Sequence, residues 1–497
     1  MSVPSVLIMA AGRGTRMRSR TAKVLHPVCG RPLLLWPVEA AREAGAERIV
    51  AILSPDSDDV RRVLPPGVEV AVQERQAGTG DAVAGARDRL GDAEHVIVLS
   101  GDHPLIDADF VRALSERHVS SGAAATVTTR ELDDPGEYGR IVRSPAGDIE
   151  RIVETKAPSD ASAEELEIRE VNMGTYAFAT GPLFEALAQV KPDNAQGELY
   201  LGDVLPILRE SGHRVVAYEA PDDSAGLGVN TRADLAAVQA LAQRRILERH
   251  MLDGVTITDP ASTVIDVDVR IGEDTVIEPY SFLRGQLEIG SRCRVGPMTT
   301  LTDCLLGDEV AVVHSYLDGC EVLAGSTIGP FAYLRPGTTL REGVKVGTFV
   351  EVKNSDIGAG TKVPHLSYIG DADIGQGSNI GAGNLTANYD GRRKHRTVIG
   401  DGVKTGVDTA FVAPVTVGDG AYTGAGSVIT EDVPDGALAI ARSRQTNVKG
   451  YAAGVDHPSE GSGDASPEDA GENPAEAAKQ PDDVEQATGK KGDLKRG

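Results

Sequence analysis

The sequence predicts two folds in one chain: a doubly wound, Rossmann-like α/β domain, followed by a parallel β-helix built from hexapeptide repeats. Strand and helix patterns alternate through the first half of the chain, as expected for a doubly wound sheet. Within residues 264–434 an aliphatic residue followed by Gly or a polar residue recurs every six positions, a period typical of a parallel β-helix. With 497 residues the chain is long enough for two or three domains that each bury a core.

The first half of the chain is read in order as alternating strands and helices. Short apolar runs predict strands over residues 5–10, 48–53, 68–73 and 95–99. Helices are predicted over residues 32–44 and 56–64. A longer helix, rich in Ala, Leu, Arg and Gln, is predicted over residues 231–251. We therefore predict a nucleotide-binding domain over 1–230, a linker helix over 231–251, a β-helix over 252–454 and a tail over 455–497.

The hexapeptide period is carried by many aliphatic residues in phase. They include Ile271, Ile277, Ile289, Val295, Ile328, Leu334, Leu340, Val346, Val352, Ile357, Val363, Ile374, Ile380 and Val417. One hexad cannot bury its aliphatic residue alone, so successive coils must stack with these residues inside. A Gly-rich loop region is the alternative, and it does not explain so many repeats in phase.

Composition and charge exclude several classes of function. The formal net charge of −24 argues against general binding to nucleic acid or to an anionic membrane. We expect neither a leader segment nor a membrane span, and hence a cytoplasmic protein. The four cysteines show no C-x-x-C spacing and are expected to be small buried hydrophobes. Residues 455–497 carry eleven acidic and five basic residues with few large apolar ones, which predicts a disordered acidic tail.

A Gly-rich turn follows the first predicted strand, in the sequence AAGRGTRM at residues 10–17. A strand, a Gly-rich turn and a helix together present backbone N–H groups to phosphate. The third Gly of a dinucleotide fingerprint is missing, because Met17 stands in its place. The cations Arg16 and Lys23 lie within or soon after the turn. The turn therefore indicates a site for the phosphates of a nucleotide.

This turn, followed by KVLHPVCGRPL at residues 23–33, resembles the sugar-1-phosphate nucleotidyltransferases. The resemblance implies that a sugar phosphate oxygen attacks the α-phosphorus of UTP and releases pyrophosphate, a reaction in which cations neutralise the growing charge. It implies nucleotide contacts for Met9, Ala10, Ala11, Gly12, Lys23, Ser100 and Gly101, with Arg16 on the leaving phosphates. In QERQAGTGDA at residues 73–82, Gln73, Gly78 and Thr79 match the residues that read the base and ribose. Asp81 stands where relatives usually carry His.

A carboxylate ends a buried strand at Asp102, where ligands bind in open α/β sheets. Mg²⁺ takes oxygen ligands and often few from the protein, so Asp102 is the first predicted metal ligand; a turn or cap residue is the alternative. By the resemblance Asn230 is the second, although relatives often carry another Asn where Thr231 stands. Segments at 134–140, 152–154 and 171–174 resemble those around N-acetylglucosamine 1-phosphate, which implies sugar contacts for Gly139, Glu154 and Asn172.

Three chemistry-bearing residues fall on consecutive turns of the predicted β-helix: Arg335, Lys353 and His365. Two cations suit an anionic sugar phosphate, and a neutral imidazole can accept the proton of an amine that attacks a thioester. A lone His is more often structural, but this one comes with its companions. The fold itself argues nothing, because hexapeptide β-helices also occur in non-catalytic proteins.

The segment NIGAGNLTANYDG at residues 379–391 extends the likeness to the β-helix. Over residues 5–449 the chain resembles a bifunctional enzyme family that first acetylates glucosamine 1-phosphate and then uridylylates the product. The resulting UDP-N-acetylglucosamine is used for cell-envelope polysaccharides. The resemblance implies His365 as general base. It implies binding of the amino sugar phosphate by Arg335, Lys353, Tyr368, Asn379 and Lys394. It implies acetyl-CoA contacts for Ala382, Asn388, Tyr389, Val407, Ala425 and Arg442, although Val407 replaces a usual Ser and cannot donate its hydrogen bond.

The resemblance also implies left-handed coils, a homotrimer with CoA between subunits, and Mg²⁺ for the uridylyl step alone. Two other functions stay open. A nucleotidyltransferase could use the β-helix only to assemble a trimer, although the intact Arg335, Lys353 and His365 speak against it. A non-catalytic regulatory subunit is disfavoured by Lys23 and Asp102, together with Asn230.

Overall fold

The computed structural model describes residues 3–12, 14–155, 160–192 and 197–454. Described residues up to Arg442 form one compact unit, and those from Ser443 onward belong to a second. The predicted tail at 455–497 lies outside the described residues. The predicted boundaries after residues 230, 251 and 454 stay predictions.

The N-terminal part is built on one mixed sheet and a small hairpin. Its strands are β1 (Ser5–Met9), β2 (Pro27–Val28), β3 (Arg31–Pro32), β4 (Ile49–Leu53), β5 (Val68–Val72), β6 (His95–Ser100), β7 (Ala125–Glu131), β8 (Arg140–Arg143), β9 (Ile149–Val153), β10 (Glu170–Ala179) and β11 (Val215–Glu219). The order across the sheet is β11-β7-β10-β6-β1-β4-β5. Strands β4, β1 and β6 run parallel, whereas β10 runs antiparallel to both β6 and β7. The predicted α/β class is confirmed, and β1, an interior strand between β6 and β4, leads into the Gly-rich turn.

Helices cover both faces of this sheet. They are α1 (Leu35–Ala44), α2 (Asp58–Val63), α3 (Thr79–Ala84), α4 (Arg87–Leu90), α5 (Ala108–Ser121), α6 (Ala163–Leu166), α7 (Thr180–Leu187) and α8 (Val204–Glu210). The helix α9 (Arg232–Leu252) packs instead on β2 and on the first strands that follow it, Thr256–Ile257 and Val264–Ile265. Short 3-10 turns lie at Thr15–Met17, Lys23–Leu25, Leu201–Asp203, Asp223–Gly226 and Tyr451–Gly454. The helix predicted from residue 32 begins three residues later, because Pro32 pairs with Pro27 in the β2-β3 hairpin.

Short parallel strands then wind into a left-handed β-helix with three faces. Face A contains Thr256–Ile257, Val276–Ile277, Arg294–Val295, Ala311–Val312, Thr327–Ile328, Lys345–Thr348 and Lys362–His365, and then the pair Tyr422–Thr423 and Leu438–Ala439. Face B contains Val264–Ile265, Phe282–Arg284, Thr300–Thr302, Tyr316–Asp318, Tyr333–Leu334, Glu351–Lys353, Tyr368–Gly370, Leu385–Ala387, Ala410–Val412 and Val428–Ile429. Face C contains Arg270–Ile271, Glu288–Ile289, Leu305–Leu306, Glu321–Val322, Thr339–Leu340, Asp356–Ile357, Ala372–Ile374, Thr397–Ile399 and Val415–Val417.

The aliphatic residue of each hexad points into the β-helix, as the period predicts. In one coil Val363, Ile369 and Ile374 are 0%, 0% and 3% exposed. Burying such a side chain contributes about 1.5–3 kcal/mol, so the stacked rows form a continuous core. Neighbouring outward side chains lie one above another at about 4.8 Å per coil. This stacking brings residues from successive coils to the same place on the surface.

Direct contacts join the N-terminal sheet region to the first coils. The backbone N–H of Val267 donates to the carbonyl of Cys29 at 2.9 Å, and Arg31 forms an ion pair with Asp268 at 2.5 Å. Cys29 and the other three cysteines are buried free thiols, as predicted from their spacing. The hairpin that follows Lys23 is therefore attached to the β-helix.

Candidate functional site

The Gly-rich turn lies at the carboxyl end of β1 and is tied to two other segments. The N–H of Gly101 donates to the carbonyl of Met9 at 2.9 Å, and Ser100 lies beside Met9 in the sheet register. The side-chain amide of Gln76 donates to the carbonyl of Ala11 at 2.8 Å. Residues 9–12, 76 and 100–101 therefore meet at one sheet edge.

Beyond Gly12 the turn folds back on Lys23. Gly14 has a φ of +60°, and a Cβ on it would lie 2.4 Å from the Cβ of Lys23, so only Gly permits this approach. Arg16 lies in the 3-10 turn Thr15–Met17 with an exposed side chain. The turn thus places one exposed cation and one nearly buried cation on the same loop.

Lys23 joins the two residues that are predicted to bind metal. Its ammonium donates to a carboxylate oxygen of Asp102 and to the amide oxygen of Asn230 at 3.3 Å. Two side-chain oxygens thus converge on one cation, and oxygen donors of this kind suit Mg²⁺. Asn230 is held because its N–H donates to Asp234 at 2.9 Å, within the Thr231–Asp234 capping box that begins α9. Thr231, unusual for the motif, serves as this helix cap.

The charge of Asp102 is maintained although the group is buried. Burial raises the pKa of Asp102, but the positive charges of His103 and Lys23 and the hydrogen bond from Lys23 lower it by more, so it lies below its usual value. Burial also lowers the pKa of His103, and the charge of Asp102 opposes this shift. Lys23 is the cation that bonds directly to the ionised Asp102.

The turn predicted to read the base is braced by the segment after residue 197. The N–H of Leu201 donates to the hydroxyl of Thr79 at 2.9 Å. Gln73 is 6% exposed, and its amide nitrogen donates to the carbonyl of Gly78 at 3.0 Å and to the carboxylate of Asp81 at 2.9 Å. Asp81, the departure from relatives, therefore contacts a predicted base-reading residue.

The three predicted sugar-binding residues lie together. The N–H of Asn172 donates to the carbonyl of Gly139 at 2.9 Å, and a Cβ on Gly139 would lie 3.6 Å from a carboxylate oxygen of Glu154. Asn172 also donates to the hydroxyl of Tyr176 at 2.7 Å. Burial, with the charge of Glu154 second, raises the pKa of Tyr176, so this hydroxyl keeps its proton. These residues offer acceptors and backbone groups that suit sugar hydroxyls.

In the β-helix, four predicted residues form a column where face A turns into face B. We call His365, Ala382, Val407 and Ala425 the acetyl column. The N–H of Gly383 donates to the carbonyl of His365 at 3.2 Å, that of Asp408 to Ala382 at 2.7 Å and that of Gly426 to Val407 at 2.8 Å. These bonds stack the four residues on successive coils. Arg442 continues the column, because its Cδ lies 3.9 Å from where a Cβ on Gly426 would stand.

Three predicted phosphate-binding cations gather at the other end of face B. We call Arg335, Lys353 and Lys394 the cation cluster. Lys353 bonds to Asp371 at 3.1 Å, and Arg335 bonds to Glu351 at 2.9 Å. A hydrogen bond with Lys353, and then the charge of Lys353, lower the pKa of Lys394. Ammonium groups held this close together favour a bound anion between them.

The remaining predicted residues divide between these places. The amide of Asn388, predicted to contact acetyl-CoA, donates to Asp371 and to the hydroxyl of Tyr368 at 3.4 Å, so it lies with the sugar-phosphate residues. Asn379 is exposed on face A and pairs with Lys362 and Lys404 on the neighbouring coils. Tyr389 is 62% exposed. The structure thus brings Asn388 to Tyr368 and leaves Asn379 on the adjoining face.

Comparison with known proteins covers almost the whole chain. Residues 5–228 match the family model described as Nucleotidyl transferase. The chain is 49% identical over 453 residues to the Bifunctional protein GlmU of Brevibacillus brevis, covering 91% of this chain and 98% of that protein. The chain belongs to the GlmU family. The family predicted from the motifs is thereby confirmed.

Other GlmU proteins show the same extent of likeness. The protein from Mycobacterium tuberculosis is 49% identical over 456 residues, covering 90% of this chain and 92% of that protein. The protein from a Geobacillus species is 46% identical over 446 residues, covering 90% of this chain and 96% of that protein. The described helices include none that is long and apolar enough to cross a membrane.

Two residues of this GlmU family member were not predicted from the sequence and bond to the cation cluster. Asp371 is 6% exposed and accepts from Lys353, from Asn388 and, at 2.6 Å, from Asn354. Glu351 holds Arg335. Neither acid belongs to a chemical motif. The sequence held no signal for them, because their contacts with Lys353 and Arg335 form only when successive coils stack.

Proposed function

We propose that the chain catalyses two successive reactions at two separate sites and so makes UDP-N-acetylglucosamine. The first is acetyl transfer from acetyl-CoA to glucosamine 1-phosphate in the β-helix. The second is uridylyl transfer from UTP to N-acetylglucosamine 1-phosphate at the edge of the N-terminal sheet. The observation that carries the two-site proposal is the cation cluster around Asp371, whose Arg335 and Lys353 lie on the two coils before that of His365. A β-helix that served only for assembly would have no need of it.

For acetyl transfer, the cation cluster binds the phosphate of glucosamine 1-phosphate and Tyr368 and Asn388 orient the sugar. The amine then attacks the thioester carbonyl carbon, a C–N bond forms, the C–S bond breaks and CoA leaves as the thiolate. His365 is exposed, and no described residue bonds to its imidazole, so its nitrogen is available to accept the amine proton. The acetyl column and Arg442 provide the surface along which the CoA arm lies.

For uridylyl transfer, the phosphate oxygen of the sugar attacks the α-phosphorus of UTP, and the bond to the departing pyrophosphate breaks. Backbone N–H groups of the Gly-rich turn, together with Lys23 and Arg16, neutralise charge on the phosphates. Asp102 and Asn230 would hold Mg²⁺, which supplies further neutralisation of the triphosphate. Glu154, Asn172 and the backbone of Gly139 hold the sugar in line.

We further propose that the protein is a homotrimer that works in the cytoplasm. An apolar ridge, defined as Tyr280, Met298, Phe331, Phe349 and Leu366, runs along the corner between faces A and B. Its five side chains are 59%, 62%, 55%, 59% and 62% exposed. A large exposed apolar stripe favours a protein interface. Because Leu366 directly follows His365, a partner seated on this ridge would border the acetyl site.

The test uses the full-length protein with glucosamine 1-phosphate, acetyl-CoA, UTP and Mg²⁺, while free CoA thiol and pyrophosphate are measured separately. We expect the wild type to release both. The His365→Ala variant should release CoA at least 100-fold more slowly and release pyrophosphate only when it is given N-acetylglucosamine 1-phosphate. His213→Ala, which removes a histidine outside both sites, should behave as the wild type. Pyrophosphate release without any CoA release by the wild type would make the β-helix a scaffold.

A further inference from the structure

The carboxylate of Asp81 restricts how Gln73 can face a bound nucleotide. The amide nitrogen of Gln73 donates to Asp81 at 2.9 Å and to the carbonyl of Gly78 at 3.0 Å. Neither acceptor can donate a hydrogen bond in return. A rotated amide would place the oxygen of Gln73 against two other oxygens, so the observed orientation is strongly favoured.

The second acceptor, the Gly78 carbonyl, is itself held in place. The N–H of Leu199 donates to the carbonyl of Ala77 at 2.7 Å, and the N–H of Gly80 donates to the carbonyl of Leu199 at 2.8 Å. Gly78 has a φ of +110°, and a Cβ there would lie 2.4 Å from the Leu199 carbonyl oxygen. The turn therefore cannot shift easily, and both acceptors stand ready before any nucleotide binds.

With both hydrogens of the amide in use, Gln73 offers only its oxygen. Within the described part of the chain nothing donates to that oxygen. An oxygen acceptor matches the N3–H of uracil, whereas N3 of cytosine is itself an acceptor and would be left unpaired. We infer that Asp81 is a positioning residue that makes the uridylyl site select UTP over CTP by holding the oxygen of Gln73 toward the base. This inference rests on the proposed function, in which Gln73 meets the base.

A site built to accept a hydrogen bond rejects an analogue that cannot donate one, because a buried polar group is then unpaired. The imidazole that relatives usually carry at this position can donate as well as accept, so it restricts the amide less than a carboxylate does. The departure at Asp81 therefore strengthens selection for the base in this chain.

The experiment measures kcat/KM for UTP and for CTP with N-acetylglucosamine 1-phosphate, Mg²⁺ and the full-length protein. Asp81→Leu removes the acceptor at similar size, and its UTP-to-CTP ratio is expected to fall roughly 10- to 100-fold. Asp81→Asn keeps an oxygen that can accept from Gln73 but adds an NH₂ donor that can pair with a rotated amide, so its UTP-to-CTP ratio should lie between those of the wild type and Asp81→Leu. Asp88→Leu removes a nearby exposed carboxylate that does not contact Gln73 and should not change the ratio.

An unchanged ratio in Asp81→Leu, with UTP turnover still present, would overturn the inference and leave the proposed function standing. No pyrophosphate from either nucleotide with the wild type would overturn the proposed function, and the inference with it. If Asp81→Leu has no measurable turnover, the ratio of dissociation constants for UTP and CTP, measured by calorimetry, replaces the kinetic ratio. A fall in that ratio supports the inference, and an unchanged ratio refutes it.

Discussion

Replacing Asp371 by Asn should disable acetyl transfer while leaving uridylyl transfer intact. The two oxygens of Asp371 accept from Asn354 at 2.6 Å, from Lys353 at 3.1 Å and from Asn388. An Asn side chain has one oxygen, and its NH₂ group would face a donor. At least one charge-assisted hydrogen bond is lost, which costs about 2–3 kcal/mol. If this free energy destabilises the substrate-binding positions of Lys353 and Asn388, kcat/KM for acetyl transfer falls about 30- to 150-fold.

The pH behaviour of Asp371 gives this prediction a second readout. Burial raises the pKa of Asp371, but hydrogen bonds from Asn354, Lys353 and Asn388 lower it by more, so it lies below its usual value. Because this pKa is lowered, the hydrogen bonds to the ionised carboxylate are fully present above the ordinary pKa of about 3.9. They are lost only when the pH falls through the lower pKa that Asp371 has in the folded protein. The ratio of wild-type to variant activity should therefore be the same at pH 6 and pH 8.

The assay follows free CoA thiol against glucosamine 1-phosphate concentration, with pyrophosphate release from N-acetylglucosamine 1-phosphate as the internal control. Asp356→Asn is the matched variant, because Asp356 bonds to Arg341 in an exposed ion pair at 2.6 Å that contributes little. The kcat/KM of this Asp356→Asn variant for acetyl transfer should stay within about threefold of the wild-type value. If the Asp371→Asn variant also keeps its rate of CoA release and its KM within about threefold of the wild-type values, Asp371 does not support acetyl transfer.

Four further outcomes are expected. Lys23→Ala should lower pyrophosphate release at least about 100-fold with CoA release unchanged, whereas the exposed Lys191→Ala should affect neither; equal loss at both sites would indicate misfolding instead. Because the proposed trimer forms along the apolar ridge, the double variant Phe331→Asp, Phe349→Asp should sediment as a monomer and lose more CoA release than pyrophosphate release. Val407→Ser should lower KM for acetyl-CoA by up to about tenfold by restoring a donor. Removal of residues 455–497 should leave both activities intact, and a sharp fall in either would contradict the tail prediction.

The fold was predictable from the sequence where a repeating pattern of aliphatic residues determines it, as in the β-helix. The six-residue period identified the buried aliphatic rows, because each coil must bury its own residue to stack. Strand direction has no such signal, and the antiparallel β10 between β6 and β7 was not predicted. The start of α1 was wrong by three residues because Pro32, a good first residue of a helix, pairs in a hairpin instead. That pairing depends on the partner strand and not on local sequence.

The candidate sites were predictable where motif residues themselves carry the chemistry, as with Lys23, Asp102 and His365. Their partners were not. Asp371 holds Lys353 from the next coil, 18 positions away in sequence, and no spacing rule marks an acid that becomes important only after the coils stack. Asn388 was grouped with acetyl-CoA residues by resemblance, whereas its amide bonds to Asp371 and Tyr368; its contact with CoA stays a prediction.

The side chains of the two sites are held in place by different kinds of contacts. This difference explains why a mutation should affect one site without the other. At the sheet edge, Met9, Gln73, Asp102 and Asn230 come from distant segments, so each depends on its own local brace, such as the capping box before α9. In the β-helix, successive coils supply His365 and the rest of the acetyl column through one ladder of backbone bonds. A side-chain change at the sheet edge is therefore confined to that edge, whereas a change that shifts one coil should move every residue stacked above it. Loss of acetyl transfer from distant β-helix substitutions, with uridylyl transfer retained, follows from that difference in construction.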